Sequence, residues 1–352
     1  MTVASDRPSF SVIVPVHRGG AALSRCLTAL AQLDPAPREV IVVADGADAD
    51  DIGRAQAAGA RIVALDERGG PARARNQGAR RAGGDTLFFV DADVLVPPDA
   101  LARATDELNR EPRPDAVIGS YDDEPDDPSF LSQYKNLQHH YVHQGGRTKA
   151  STFWGACGVI HKEVFVASGG FDERYYRPCI EDIELGYRLC AAGRRIRLAH
   201  GLQVKHMKAW TFSSLLRADL LYRALPWTEL ILRQRSVPND LNLNWSGRAS
   251  ALLAPILLLA LPAGLWRPAF WLGGLGAAAG LLALNARFYR FLRARRGLGF
   301  ALRAIPWHWF YHLYSLAGFA LALGRHLLRL RGAPWLRPRA SGQTADLTAG
   351  TR

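Results

Sequence analysis

The chain has 352 residues, a net charge of +12 and 48% hydrophobic residues, which is too long for one small domain and enough for a large α/β domain with an appendage. Four cysteines (Cys26, Cys157, Cys179, Cys190) show neither C-x-x-C spacing nor a disulfide framework, so reduced thiols are expected. Arginine dominates the basic set and gathers in the C-terminal third beside apolar segments, a distribution that fits an anionic membrane surface and argues against nucleic acid as a partner.

Residues 1–8 are polar and lack the apolar core of a signal peptide, so the first domain is expected in the cytoplasm. The hydrophobic pattern then predicts strands over residues 10–16, 39–44, 61–65, 86–90 and 116–120. Helices are predicted over 20–33, 50–58, 70–82 and 98–110. Strands alternating with helices over this length imply a mainly parallel, doubly wound sheet, whose ligands gather at the carboxyl ends of its strands. Asp45 and the pair Asp91/Asp93 leave such ends. On an extended backbone residues two apart point the same way, so Asp91 and Asp93 are expected to converge on one hard cation, Mg²⁺ or Mn²⁺. Two acids leaving a strand also serve as turn formers or helix caps.

Residues 121–152 read as irregular, with an acidic solvated run (Asp122 to Asp127) followed by histidines and aromatics. A short helix lies between residues 154–160 and 169–173. Another begins near Ile180 and carries Glu181, Glu184 and Arg188 on a polar face, and a short strand over 195–198 leads to His206, Lys208 and Trp210.

Residues 212–248 read as amphipathic helices lying in a membrane interface, or alternatively as helices packed on the domain. Residues 249–286 hold two apolar stretches joined by Arg267-Pro268, expected as a transmembrane hairpin or a re-entrant pair. The arginine-rich stretch 287–303 is expected as a cytoplasmic loop by the positive-inside rule, residues 304–331 as a third membrane-embedded helix, and residues 332–352 as a disordered tail.

Across residues 9–211 the chain resembles the inverting family 2 glycosyltransferases of the GT-A fold. The resemblance rests on Val12-Ile-Val-Pro-Val16, Val40 to Gly46, Gly70 to Gly78, Phe89-Val-Asp91-Ala-Asp93, Gly169 to Glu173, and Glu181-Asp182-x-Glu184-Leu185, all in the expected order. It implies an α/β nucleotide-sugar domain followed by C-terminal membrane helices, in an enzyme of the bacterial inner membrane that crosses it more than once with its catalytic domain in the cytoplasm. It further implies that Pro15 and Asp45 hold the nucleoside, that Arg75 and Asn76 line the same pocket, and that Asp91 lies between nucleoside and metal. Asp93 would be the main ligand of Mg²⁺ or Mn²⁺, and Asp182 the general base, with Glu181 beside it. Trp154, Gly155 and Ala156 match the sugar-facing segment. His206 is either a further metal ligand or a packed core histidine, and Lys208 a diphosphate contact. The expected reaction moves one sugar from a nucleotide-diphospho-sugar to a lipid-linked acceptor. The Gln-x-x-Arg-Trp segment of processive polysaccharide synthases is missing after the base, where the chain reads His206-Met-Lys208-Ala-Trp210. A processive synthase is the alternative, and a non-catalytic nucleotide-sugar scaffold a further one.

Overall fold

In a computed structural model of the chain, residues 8–234, 244–328 and 336 are described. They divide into two compact units. One comprises residues 8–127 and 146–209, the other residues 128–145 and 210–328.

In chain order the elements are β1 (Phe10–Val16), α1 (Gly20–Ala31), β2 (Glu39–Asp45), α2 (Ala49–Ala57), β3 (Arg61–Leu65), α3 (Pro71–Arg81), β4 (Thr86–Val90), β5 (Val94–Leu95), α4 (Ala100–Leu108) and β6 (Ala116–Tyr121). Helix α5 (Phe130–Gln144) precedes β7 (Lys149–Ala150), β8 (Cys157–His161), α6 (Lys162–Ala167), α7 (Glu181–Ala191) and β9 (Ile196–His206).

The sheet of the first unit runs β3-β2-β1-β4-β8-β6-β9-β5 among the described residues, with β7 beside β9. Strands β1 to β4 pair in parallel, and β1, β2 and β4 are the largely buried runs expected of strands covered on both faces, whereas the edge strand β3 buries only Val63. Every residue of β4 is buried. The registers Val16 against Ala44 and Asp45 against Leu65 bring the carboxyl ends of β1 and β2 to one rim.

The sheet departs from the sequence expectation in its middle. Residues 157–161 form β8, which inserts antiparallel between β4 and β6. Gly158 lets this strand pass the Phe153 ring, since a Cβ there would lie 2.5 Å from its Cζ. Strand β9 extends to His206, well past the predicted short strand, and brings that histidine opposite Val94 of β5. The acidic run is tied down rather than freely solvated: Arg25 grips Asp126 with two bonds of 2.7 Å, and Lys205 pairs with Asp122 at 3.0 Å.

The second unit is helical: α5, α8 (Phe212–Asp219), a π-helical turn (Leu220–Ala224), α9 (Leu225–Gln234), α10 (Trp245–Trp266) and α11 (Phe270–Leu327). The predicted irregular stretch thus contains α5. Its period was hidden because its buried face is largely polar, including Gln133, Lys135, Gln138 and His140. Lys135 donates to both carboxylate oxygens of the buried Asp219 at 2.8 Å, and the Tyr314 hydroxyl also donates to Asp219 at 2.8 Å. Pro226 lies directly after the π-helical turn in a helical run that is continuous from Phe212 to Gln234, where it supplies no backbone donor. Helix α9 buries Leu225, Trp227, Leu230 and Ile231 and packs against α11 within the same unit.

Helix α10 packs small residues (Ser250, Ala254, Ala260, Gly264) against α11, and Asn285 donates to Ser250 across the pair at 2.9 Å. Its outer face exposes Leu252, Leu258, Leu259 and Leu265. Among the described residues α10 alone is long and apolar enough to cross a membrane, by length and composition. The second apolar stretch of the expected hairpin opens α11 and meets Asn285 and Arg287 before it reaches that measure. The expected loop 287–303 is corrected: it is helical within α11, broken only where Gly297 takes a positive φ of 82°. The tail 332–352 lies outside the described residues apart from Leu336.

Candidate active site

Strand β2 ends in Asp45, whose side chain is buried. Its two carboxylate oxygens accept the backbone N–H groups of Gly69 at 2.6 Å and Gly70 at 2.8 Å, so the acid pins the turn that opens α3. Only glycine serves at position 70: φ is +89° and a Cβ would lie 2.2 Å from the carbonyl oxygen of Tyr176. Pro71 then starts the helix, its fixed φ suiting the first turn. Pro15 lies opposite Val43, one residue before the end of β1, and the His17 ring contacts the Asp45 carbonyl at 3.0 Å.

Arg75 and Asn76 both turn inward from α3. Asn76 is fully buried. Its amide nitrogen donates to the Phe171 carbonyl at 2.9 Å and to Glu173 at 3.0 Å, while its oxygen accepts the Phe171 N–H at 2.9 Å. Both donors are therefore committed to the 170–173 turn. Arg75 donates to Asp91 at 2.7 Å and to Glu181 at 2.8 Å, with its guanidinium over the Phe171 ring. Glu181 also accepts the Cys179 N–H at 2.9 Å and is buried, so it holds Arg75 and the loop before α7 rather than facing a ligand. Gly155 is small because Arg75 passes it: a Cβ would lie 2.8 Å from the guanidinium carbon.

Asp91 and Asp93 do not converge as expected. The pleat stops at Val90, and residues 91–93 form a turn closed by the Val94 N–H donating to the Asp91 carbonyl at 3.1 Å. The turn sends Asp91 to Arg75 and Asp93 to His206, whose Nε2 lies 3.6 Å from the Asp93 carboxylate. Burial disfavours the charge on Asp93, but His206 and Lys208 outweigh it and hold the carboxyl below its ordinary range.

Asp182 begins α7, half-buried, and accepts the Gly155 N–H at 3.1 Å and the Ile183 N–H at 2.8 Å. Burial pushes this carboxyl up to about 6; the Glu181 charge adds to the rise and Arg75 opposes it. Gly155 and the buried Ala156 follow Trp154, whose ring meets Tyr121 edge to face at 4.7 Å. Sequence reasoning missed Tyr121, which also stacks on His206, and His17. No motif marks either position; only the pairing of β6 with β9 brings Tyr121 opposite Val204, two residues from the histidine.

Among the described residues no three His, Cys, Asp or Glu side chains gather into a metal cage. The Asp93–His206 pair, a carboxylate oxygen facing an imidazole nitrogen, nevertheless fits Mn²⁺ or Mg²⁺ that completes its shell with phosphate oxygens and water.

A mixed, mainly parallel sheet with acids at a strand end and a second acid pair on a facing helix is an α/β domain of the GT-A-like fold. Residues 11–167 match the model of glycosyl transferase family 2. Asp182 and His206 lie beyond the matched stretch. The fold is shared with the mannosyltransferase PcManGT of Pyrobaculum calidifontis, solved with GDP-mannose and Mn²⁺. That likeness has 18% identity and a TM-score of 0.56, over 92% of this chain and 88% of the other. An O-antigen biosynthesis protein, RfbC of Myxococcus xanthus, is 36% identical over 86 residues, 23% of this chain. The chain spans 6% of that protein's length.

Proposed function

We propose that the chain is a membrane-attached inverting glycosyltransferase that moves one sugar from a nucleotide-diphospho-sugar to a lipid-linked acceptor. The observation that carries this reading is Arg75. It bonds Asp91 at the strand end and Glu181 at the start of α7, so the two acid motifs, ninety residues apart in sequence, build one site. Asp182, next to Glu181, takes the proton of the acceptor hydroxyl as its oxygen bonds to the anomeric carbon. The bond from that carbon to the diphosphate oxygen breaks on the opposite face, which inverts the centre. Lys208 meets the negative charge that develops on the leaving diphosphate, and Asp93 and His206 would hold a Mn²⁺ or Mg²⁺ ion. That cation supplies further charge neutralisation when bound. Asp45 and the 68–70 turn it pins are the nucleoside side of the site, and Trp154 offers the sugar an aromatic face. The exposed leucines of α10 support attachment to a bilayer, and with it a lipid acceptor.

The test is sugar transfer by the detergent-solubilised chain from UDP-, GDP- and dTDP-sugars to membrane-lipid extract, with Mn²⁺ or EDTA. Wild type is expected to label a lipid only with the cation and to stay with carbonate-washed membranes. Asp182→Asn is expected to lose about two to four orders of magnitude in kcat while still binding the donor. Undiminished transfer by Asp182→Asn would remove the base assignment, and donor binding without transfer to any acceptor would favour a scaffold.

A further inference from the structure

The Tyr121 side chain, at the end of β6, is 7% exposed and lies between two groups assigned different tasks. On one side its ring stacks on the His206 imidazole, with centroids 4.3 Å apart and planes 10° from parallel. On the other it meets the Trp154 ring at 4.7 Å and 80°. The path continues at both ends. His206 faces Asp93 at 3.6 Å, and Gly155, next to Trp154, donates its N–H to Asp182 at 3.1 Å.

We propose that Tyr121 is a positioning residue that fixes the His206 ring for cation binding, with Trp154 as the wall that keeps the tyrosine in place. An imidazole at a strand end has free rotation about two side-chain bonds, and only one orientation aims Nε2 at Asp93. Stacking favours that orientation before any ligand arrives, so less ordering is needed on binding. The phenol hydroxyl plays no part in this; the ring face does. The inference rests on the reading of His206 as a cation ligand in the proposed reaction.

The experiment is equilibrium Mn²⁺ binding to the full-length chain, followed by the EPR signal of free Mn²⁺, with UDP and separately GDP present and no acceptor. One aromatic pair contributes enough that Tyr121→Leu is expected to weaken Mn²⁺ binding about three- to tenfold. Tyr121→Phe, which keeps the ring, stays within about twofold of wild type. In a His206→Ala background Tyr121→Leu changes nothing further, which separates an effect through His206 from a general loosening. If Tyr121→Leu melts too low for titration, Tyr121→Met takes over the same comparison. Binding by both variants equal to wild type would overturn the proposal, as would a loss of the same size in the His206→Ala background. Wild type that binds no Mn²⁺ with either diphosphate would overturn the cation reading itself, and this inference with it.

Discussion

Replacing Arg75 by methionine removes a charge that faces three carboxylates and keeps most of the side-chain volume. In the native site the guanidinium bonds Asp91 and Glu181 and opposes the upward push that burial and Glu181 exert on Asp182, leaving that carboxyl near 6. A cation beside a carboxyl typically lowers its pKa by about 1–3 units, so its loss carries Asp182 to about 7–9. The base acts only when ionised, so activity falls as pH drops through the pKa. At pH 7 about nine-tenths of wild type is ionised, against roughly half to one-hundredth of Arg75→Met. The variant is therefore expected to be about two- to hundredfold slower at pH 7 and to recover as pH rises past 9. The assay is kcat/KM against pH, which reports the free enzyme. Arg75→Lys, which keeps the charge and loses the fork, should retain an acid limb near 6. An acid limb in Arg75→Met that overlays wild type, with activity lowered equally at every pH, would refute the electrostatic argument and reduce Arg75 to a spacer. A wild-type profile flat between pH 5 and 7 would refute Asp182 as the base.

Two further outcomes concern stability. Asn76→Ala removes all three hydrogen bonds to the 170–173 turn and orphans the buried N–H and C=O of Phe171, at roughly 1–3 kcal/mol for each group; urea unfolding measures it, and a loss under 1 kcal/mol would contradict the tie. In the helical unit, Lys135→Met leaves the buried Asp219 with only Arg223 and Tyr314 and is expected to cost about 3–5 kcal/mol, most of it regained in the double variant Lys135→Met/Asp219→Leu.

The parallel half of the sheet is legible in the sequence because burial on both faces produces unbroken apolar runs. Phe10–Val16 and Thr86–Val90 stand where the pattern puts them; so does the edge strand Arg61–Leu65, although only Val63 in it is buried. Strand β8 has no such signal: with five residues including Gly158 and a terminal histidine, its place is set by β4 and β6 on either side. Helix α5 fails the periodicity argument for the opposite reason. Its buried positions are filled by Lys135, which meets Asp219 far along the chain, and by Gln133, which meets Arg296. A polar core face built from distant partners looks like a loop when only neighbours are read. The arginines of 287–303 read as a loop because charge was weighed without the helix that carries them.

The site shows the same division more sharply. Strand ends mark Asp45, Asp91 and Asp93 as chemistry-bearing and the family resemblance adds Asp182; in the structure the first three lie at the ends of β2 and β4 and Asp182 in the first turn of α7. Which acid faces which partner is not a local property. The two-residue spacing of Asp91 and Asp93 predicts convergence only while the backbone stays extended, and it turns at Asp91. One acid then belongs to Arg75 and the other to His206, which lies far downstream of β4 in sequence and is reachable only because β9 runs on to pair with Val94. Arg75 is expected as a ligand contact because the family resemblance places it in the nucleotide pocket. Buried between Asp91 and Glu181, it instead joins the two acid motifs, and a cation in that place sets how readily the neighbouring base gives up its proton.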